Sequence, residues 1–318
     1  MSKSEFEIIE KIFAPLATSR AALRLKDDVA VLSGRASYDL ILSTDSIVEG
    51  VDFFTNDPPD TIAQKALRVN LSDLAAKGAV PFGYLLTLVL RKSVRTAWLR
   101  AFARGLAADQ RQFKVALLGG DMSSTRGPLT ITIAALGYVP KGGAILRSGA
   151  KPGDLVFVSG TIGDSAGGLA AIKSKRRDAQ LVKRFRVPQP RVSLGPKLRG
   201  VASAALDVSD GLLADLGHLA DVSGVHIAIE AASIPLSSRL RRAWGEDSGT
   251  VLRAATAGDD YEIAFTTRPS KRKRVETVSK SIGVPLTQIG LVSKGRGVKL
   301  FDRQGTSINV RRKGYTHF

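Results

Sequence analysis

Five residues decide how this sequence is interpreted: Leu117-Leu118-Gly119-Gly120-Asp121. An apolar run ends at two glycines, which are followed by one aspartate and then by mostly small and polar residues. A second apolar run covers residues 128–139. Glycine tolerates positive φ and lets another group approach the backbone closely. The pattern therefore predicts two strands joined by a tight loop that holds the carboxylate of Asp121 at the end of a sheet.

Aspartates recur at the ends of other predicted elements. A carboxylate among apolar or small residues is costly unless it is paired, hydrogen-bonded or bound to a metal. Each one taken singly is explained as well by a helix cap or a turn. Together they favour a shared site for divalent cations, because Mg²⁺ commonly shares carboxylates with substrate phosphates. The set comprises Asp27, Asp28, Asp45, Asp73, Asp121, Asp207, Asp210, Asp259 and Asp260.

Neutral and basic side chains extend this hypothesis. Ser43 and Thr44 precede Asp45 and offer hydroxyl ligands, while Arg147 offers a guanidinium for phosphate oxygens. Such a site would catalyse phosphoryl transfer chiefly by positioning the reactants and neutralising charge.

Composition excludes several classes of protein. The chain of 318 residues contains no cysteine, so it has no disulfide, thiolate metal site or cysteine nucleophile. Its apolar stretches have the length of strands, so we expect no transmembrane helix and no membrane partner. These features predict a cytoplasmic protein.

The net charge of +18 has two explanations. The basic clusters are scattered along the chain, and aromatic residues make up only 6% of it. This distribution favours solvated helix faces over a nucleic-acid surface. A basic nucleic-acid-binding protein remains an alternative function.

The order of predicted elements indicates two domains. Helices and strands alternate up to residue 139, and a stretch rich in Gly, Lys and Pro follows at 140–153. We therefore predict α/β (α+β) domains at 1–140 and 141–318. Within the first, a strand is expected at 28–32 and a break near 69–74 in a helix that covers 61–77.

Two nucleotide-binding motifs are missing and one hydrolase motif is present. The sequence contains neither a Walker A loop nor G-x-G-x-x-G, so a nucleotide needs another architecture. The segment 163–167 matches the G-x-S-x-G nucleophile elbow, with Ser165 at its centre. Because residues 160–163 already form the turn, we expect Ser165 in the first helical turn. A serine hydrolase remains a second alternative.

Several segments, in order along the chain, resemble thiamine-monophosphate kinases of the aminoimidazole ribonucleotide synthetase superfamily. The resemblance implies a two-domain fold of that superfamily, with an N-terminal mixed sheet that dimerises, a C-terminal α/β domain and an ATP site between the domains. The segments are Ser43-Thr44-Asp45, Asn70 to Ala76, Gly119-Gly120-Asp121, Arg147 to Asp154, Asp207 to Leu212 and Gly314 to Phe318.

The resemblance also implies a reaction and a set of roles. The reaction is ATP-dependent phosphorylation of thiamine monophosphate to thiamine diphosphate in a homodimer, with Mg²⁺ and with Arg147 as charge stabiliser. The implied metal ligands are Asp28, Ser43, Thr44, Asp45, Asp73, Asp121, Asp207 and Asp210. The implied ATP contacts are Gly120, Asp121, Arg147 and Ser209. The implied substrate contacts are Asp52, Asp259 and Arg312.

Three positions depart from the family pattern. Asp52 stands where histidine is frequent, and Arg312 stands where the family has an aromatic residue, so Tyr315 or Phe318 is available for stacking. Lys26 replaces a frequent glycine and is a candidate phosphate contact. The absence of cysteine argues against the selenophosphate synthetase and hydrogenase-maturation branches. An aminoimidazole ribonucleotide synthetase-type ligase remains the alternative within the superfamily.

Overall fold

The structure is a computed structural model that describes residues 5–26, 30–174 and 178–316. The chain divides into two compact units. The N-terminal unit comprises Met1–Leu74 and Ala79–Gly142, and the C-terminal unit comprises Ala75–Gly78 and Gly143–Phe318. Each unit packs helices against a sheet, which confirms the predicted mixed α/β fold class.

The described part of the N-terminal unit contains a four-stranded sheet in the order β1-β4-β2-β3. Strands β2 and β3 are parallel, and the other two pairs are antiparallel. The order makes β1 and β3 the two edges of the sheet. The strands are β1 (Tyr38–Val48), β2 (Val80–Arg91), β3 (Ala116–Thr125) and β4 (Thr130–Pro140). The α-helices are α1 (Glu5–Ile8), α2 (Pro59–Ala76) and α3 (Thr96–Phe113), with a π-helix at Ile9–Phe13 and 3₁₀ turns at Ala14–Leu16 and Arg20–Leu25.

The glycines of the opening stretch lie inside β3, so the predicted loop is wrong. Neither Gly119 nor Gly120 has positive φ. Strand β3 pairs with β2 through a register shift at Tyr84/Leu85, and a Cβ on Gly120 would overlap the carbonyl oxygen of Leu86. Glycine is needed here because two strands approach closely, not because the chain turns.

Two further predictions in this unit are wrong. Helix α2 continues through residues 69–74 without a break, and the Asn70 side chain donates to the Ala66 carbonyl oxygen one turn earlier at 3.0 Å. Residues 30–32 lie outside any strand. The rest of that predicted strand, at 28–29, lies outside the described residues.

The C-terminal unit contains a sheet in the order β11-β10-β7-β9-β5-β8-β6. Its strands are β5 (Leu155–Ser159), β6 (Ala204–Asp207), β7 (His226–Glu230), β8 (Ile263–Thr267), β9 (Leu286–Ser293), β10 (Gly297–Phe301) and β11 (Ser307–Ile308). Its helices are α4 (Asp164–Lys173), α5 (Ala179–Arg186), α6 (Gly195–Leu198), α7 (Leu212–Ser223), α8 (Ser238–Trp244), α9 (Ser248–Ala255) and α10 (Arg272–Ile282).

Both faces of this sheet are covered. Val156 and Val158 of β5 pack with the leucines of α7, whereas Leu155 and Phe157 of the same strand pack with Val275 of α10. Alternate residues of a strand point to opposite faces, so β5 is apolar throughout because it is buried on both sides. Among the described residues, no helix is both long and apolar enough to cross a membrane.

Candidate active site

Strand β1 and helix α2 bring three of the predicted residues together. The hydroxyl of Ser43 donates to Oδ2 of Asp73. The backbone N–H of Asp45 donates to Oδ1 of Asn70 at 3.0 Å. Asn70 and Asp73 are three residues apart and therefore share one face of α2. Ser43, Asp45 and Asp73 form what we call the β1–α2 patch, an oxygen-rich surface at the middle of β1.

Thr44 has the opposite orientation from its neighbours. Successive residues of a strand point to opposite faces, so Thr44 lies on the face of the sheet away from Ser43 and Asp45. Thr44 is exposed. Its predicted role as a ligand through its hydroxyl at the β1–α2 patch stays a prediction.

Asp121 lies at the other edge of the same sheet. Across the sheet, Asp45 pairs with Ile133, Ile133 with Leu86, and Leu86 with Gly120, the residue before Asp121. Three strand spacings of about 4.8 Å separate β1 from β3 by about 14 Å. Within one copy of the chain, the sheet therefore does not bring Asp121 to the β1–α2 patch.

Gly120 and Asp121 border a cavity of the N-terminal unit. The cavity has a volume of about 1030 Å³, and its wall includes Arg24, Lys26, Gly120 and Asp121 together with leucines of β2 and β3. Lys26 and Asp121 are exposed. A cavity with an apolar wall and a few charged side chains is the usual form of a small-molecule site.

The remaining predicted residues of this unit do not add to a cluster. Oδ2 of Asp52 accepts the backbone N–H of Val48 at 2.7 Å and so shapes the turn after β1. Asp28 lies outside the described residues. Over residues 5–26, 30–174 and 178–316, no group of three or more His, Asp or Glu side chains is placed to hold a metal ion.

In the C-terminal unit, the predicted residue Asp207 ends β6, and the short loop between β6 and α7 carries the predicted residues Ser209 and Asp210. Asp215, in the first turn of α7, reaches back into this loop. Its Oδ2 accepts the backbone N–H groups of Ser209, Asp210 and Gly211, each at 3.1 Å. Burial, followed by the nearby charge of Asp210, raises the pKa of Asp215 to about 7 despite these three hydrogen bonds.

The carbonyl groups of the loop bind two other segments of the same unit. The carbonyl of Ser209 accepts the N–H of Asp259 at 2.7 Å, and that of Asp210 accepts the N–H of Tyr315 at 2.8 Å. Asp259 and Tyr261 both have positive φ, which is uncommon for residues other than glycine. The structure therefore brings the backbones of Ser209, Asp210 and Asp259 together.

This arrangement decides which kind of ligand the loop suits. Loops that bind phosphate through the backbone point their N–H groups at the anion. Here the N–H groups of residues 209–211 are bonded to Asp215. The half-buried side chains of Ser209 and Asp210 remain, and both offer oxygen atoms. The loop therefore favours a cation or a hydroxyl contact over an anion bound by the backbone.

A second buried carboxyl supports the neighbouring segment. Asp260 is fully buried, and its Oδ2 accepts the N–H of Gly163 at 2.7 Å, at the start of α4. Burial raises the pKa of Asp260 well above its usual value. Two residues on, buried Glu262 is paired with Arg184 and Arg191. Two buried acids therefore follow Asp259 closely: Asp260, which accepts a backbone hydrogen bond, and Glu262, which is ion-paired.

The two other implied contacts are at the surface. Arg147 is exposed on the segment that precedes β5. Arg312 donates from Nε to the carbonyl of Gly314 at 2.9 Å and from Nη2 to the Thr316 hydroxyl at 3.3 Å. Phe318 lies outside the described residues.

The structure does not support the serine hydrolase. Ser165 lies in the first turn of α4, as expected, and only 1% of it is exposed. Its hydroxyl has no hydrogen-bond partner among the described residues. Neither His218, exposed on α7, nor His226, whose Nδ1 is 3.1 Å from the Ser293 hydroxyl, activates it. His317 lies outside the described residues.

Comparison with known proteins identifies the class and then the family. Residues 26–139 match the N-terminal domain of AIR synthase related proteins, and residues 151–303 match the C-terminal domain. The chain is 41% identical to thiamine-monophosphate kinase of Caulobacter vibrioides, over 99% of this chain and 91% of that protein. The chain belongs to the thiamine-monophosphate kinase family, which confirms the resemblance found in its motifs.

Two solved structures agree with this assignment. Thiamine-monophosphate kinase from Stenotrophomonas maltophilia K279a superimposes with a TM-score of 0.86 at 38% identity, covering 97% of this chain and 99% of that one. The structure of AaThiL complexed with AMPPCP and TMP gives 0.79 at 30% identity, covering 100% and 99%. Both similarities extend over the two units.

Sequence reasoning missed Asp215 and grouped Asp260 with possible cation ligands, whereas the structure has both as buried acceptors of backbone N–H groups. A detectable pattern existed for Asp215, because an acid in the first turn of a helix commonly satisfies N–H groups at the helix start. For Asp260, whose partner is 97 positions away, the sequence offers no local pattern.

Proposed function

We propose that this protein transfers the γ-phosphoryl group of ATP to thiamine monophosphate, giving ADP and thiamine diphosphate. The observation that carries the proposal is the full-length similarity to proteins named thiamine-monophosphate kinase and to AaThiL, which was solved with AMPPCP and TMP. AMPPCP is an analogue of ATP whose β,γ-bridge cannot be cleaved as in ATP. We propose the same two substrates for this chain.

The bond changes are simple. An oxygen of the thiamine monophosphate phosphate attacks the γ-phosphorus, a new P–O bond forms, and the bond to the β,γ-bridging oxygen breaks to release ADP. The nucleophile is already ionised near neutral pH, so no side chain is needed to remove a proton. The protein's contribution is positioning and charge stabilisation, in which Arg147 offsets charge on the group in transfer.

The donor atoms fit Mg²⁺. The β1–α2 patch and the β6–α7 loop offer carboxylate and hydroxyl oxygens, which Mg²⁺ prefers. We propose Asp45, Asp73 and Asp121 in the N-terminal unit and Asp207 and Asp210 in the C-terminal unit as ligands, with Ser43, Thr44 and Asp28 as further candidates. When bound, Mg²⁺ neutralises phosphate charge. Sharing of the metal with substrate phosphates and water accounts for the lack of a closed carboxylate cluster in the described residues.

The nucleotide and substrate contacts stay proposals. Gly120 and Asp121, with Lys26, border the cavity of the N-terminal unit and suit a nucleotide phosphate or its metal. Arg147 and Ser209 are proposed for ATP in the C-terminal unit. Asp52, Asp259 and Arg312 are proposed for thiamine monophosphate, with Tyr315 as the exposed aromatic near the C-terminus.

We propose residues 1–140 as the metal-binding and dimerisation domain, residues 141–318 as the domain with the other contacts, and a cytoplasmic location.

We also propose a homodimer formed through the open face of the N-terminal sheet. Large apolar side chains alternate along β1 on this face and are exposed: Tyr38 by 45%, Leu40 by 41% and Leu42 by 63%. An apolar face of this kind is typical of an interface between subunits.

Product analysis tests the reaction. Purified protein is incubated with ATP, Mg²⁺ and thiamine monophosphate, and thiamine diphosphate is measured by chromatography, with EDTA as the control. Metal-dependent formation of thiamine diphosphate supports the proposal. Folded protein that forms none, but turns over formylglycinamidine ribonucleotide, would support the ligase alternative instead.

A mixed dimer tests whether Asp45 and Asp121 act within one copy of the chain or across two copies. Asp45→Asn and Asp121→Asn chains are co-expressed with different tags, and the dimer that carries both tags is isolated. If the two aspartates act across copies, one of the two sites is intact and about half of wild-type turnover returns. If both act within one copy, the mixed dimer stays as inactive as either parent. Failure to isolate any mixed dimer contradicts the homodimer.

A further inference from the structure

The β6–α7 loop is organised around a carboxylate that no motif assigns to the site. Oδ2 of Asp215 accepts three consecutive backbone N–H groups, those of Ser209, Asp210 and Gly211. Asp215 is only 4% exposed. Consecutive N–H groups that converge on one point form an anion-binding concavity. In this protein the concavity is filled by the chain's own side chain.

The backbone N–H that precedes these three, that of Val208, is also bonded within the C-terminal unit. The N–H of Val208 donates to the carbonyl of Glu262 at 2.8 Å. All four N–H groups of residues 208–211 are therefore bonded inside the C-terminal unit, and none is left to bind a phosphate. Because these bonds fix the backbone, they also fix the directions of the Ser209 and Asp210 side chains.

We propose that Asp215 is a positioning residue: by accepting these three N–H groups, it holds the loop so that Ser209 and Asp210 present oxygen atoms to Mg²⁺-nucleotide. This inference rests on the proposed function, because that function assigns the two residues to the nucleotide and its metal. Asp215 itself touches neither substrate. Its effect passes through the loop.

The hydrogen-bond acceptor, not the negative charge, is the part of Asp215 that the loop needs. Asp215→Asn keeps an oxygen that can accept the three N–H groups, whereas Asp215→Ala leaves them without a partner. A matched control lies at the other end of the same sheet. Asp154 is 3% exposed, and its Oδ2 accepts from Lys151 N at 3.1 Å and Ser203 Oγ at 2.6 Å. Asp154→Ala therefore removes a buried carboxylate of the same unit without changing the loop.

Hydrogen exchange in the absence of any ligand is the first measurement. In Asp215→Ala, we expect the N–H groups of residues 209–211 to exchange about tenfold faster or more, because they lose their acceptor. In Asp215→Asn and Asp154→Ala, their exchange should stay within about threefold of wild type. Equal protection in Asp215→Ala and wild type would overturn the proposal, whatever reaction the protein catalyses.

Nucleotide binding is the second measurement. The dissociation constant of ADP with Mg²⁺ is measured by calorimetry, together with the Mg²⁺ concentration that gives half-maximal product formation. Asp215→Ala should raise both about tenfold or more, and Asp215→Asn by less than about threefold. If Asp215→Ala and Asp154→Ala shift both values equally, the role of Asp215 is only structural and the proposal is wrong. It is also wrong if Asp215→Asn is as defective as Asp215→Ala.

The role of Asp215 can be tested even if Asp215→Ala does not fold or the proposed reaction is wrong. If Asp215→Ala does not fold, Asp215→Ser replaces it, since its single short hydroxyl cannot take the place of Oδ2 for all three N–H groups. If wild-type protein binds ADP with Mg²⁺ but forms no thiamine diphosphate, the proposed function fails. The exchange and binding results then still decide the role of Asp215.

Discussion

Two aspartates of the N-terminal unit and two of the C-terminal unit lie in contrasting surroundings. In the N-terminal unit, Asp45 and Asp121 are exposed on regular strands. In the C-terminal unit, Asp215 and Asp260 are buried and hydrogen-bonded to the backbone of the segments that carry Asp210 and Asp259. Asp45 and Asp121, which we call the displayed acids, are thus candidate site residues at the surface, whereas Asp215 and Asp260 are buried acids that hold the segments carrying the candidate residues Asp210 and Asp259.

The largest effect is expected for the displayed acids. Asp45→Asn and Asp121→Asn each remove a charge proposed to bind Mg²⁺, so turnover should fall by about 10²-fold or more. Their melting temperatures should not fall, because the exposed carboxylates contribute little to folding. Asp39→Asn is the matched control, since Asp39 lies on the same strand and accepts only the N–H of Gly142 among the bonds we describe. Near-normal turnover in both variants would contradict a metal site in this unit.

The next effect concerns the strand that presents Asp121. Gly120→Ala places a Cβ against the Leu86 carbonyl oxygen, a backbone atom that cannot move without disturbing β2. We expect a loss of about 3 kcal/mol in the free energy of unfolding, measured by denaturant titration. Gly119→Ala is the control, because its Cβ would meet only the Leu85 side chain at 3.4 Å. Equal stability of the two variants would show that the close approach of β2 and β3 does not constrain residue 120.

A smaller loss of stability is expected at the buried acid of the second unit. Asp260→Ala leaves the N–H of Gly163 without its acceptor, which should cost about 2 kcal/mol in the free energy of unfolding. Asp260→Asn keeps an acceptor and should cost less. The raised pKa gives a pH test: the folded state binds a proton more tightly than the unfolded state, so wild-type stability should decrease as pH rises above the usual carboxyl range. Because asparagine does not titrate, the stability of Asp260→Asn should decrease less than that of wild type over the same pH range.

The sequence predicted much of this fold because its patterns are local. The helix predicted at 61–77 is α2 (Pro59–Ala76), and Ser165 lies in the first turn of α4, as expected. The errors arose where contacts distant in sequence decide the outcome. Gly119 and Gly120 look like a turn until β2 is placed beside them. Likewise, the polar residues of 69–74 suggest a helix break. In the structure the Asn70 side chain donates to the carbonyl oxygen of Ala66, one turn earlier in the same helix.

The candidate site shows the same limit. Motifs identified Ser43, Asp45 and Asp73, which the structure brings together, and Asp121, which it places at the far edge of the sheet. No local pattern gives the order β1-β4-β2-β3, which depends on long-range pairing. Sequence reasoning therefore supplied the candidate residues and their chemistry, but not their positions in the sheet.

Glu49 is one of the buried acids of the N-terminal unit, together with Asp57 and Asp109. It offers the most sensitive test of the comparison. It follows β1, is paired with Arg91, and accepts the N–H of Leu129 at 3.0 Å. The hydrogen bonds from Arg91 lower the pKa of Glu49 to about 2, from an ordinary value of 4.5. The folded state therefore binds this proton more weakly than the unfolded state. The stabilisation is complete above about pH 4.5 and is lost as pH falls towards 2.

If burial, and not the unit, decides what an acid does, Glu49→Gln should behave like a change in the C-terminal unit. It should lower the free energy of unfolding at pH 7 by about 1–3 kcal/mol, with turnover unchanged within about twofold. The difference between variant and wild type should shrink as pH falls from 4.5 to 2, measured by denaturant titration at each pH. A difference that stays constant over this range would mean that the carboxylate charge of Glu49 does not stabilise the fold. A large loss of turnover at unchanged stability would place Glu49 with the displayed acids and break the comparison.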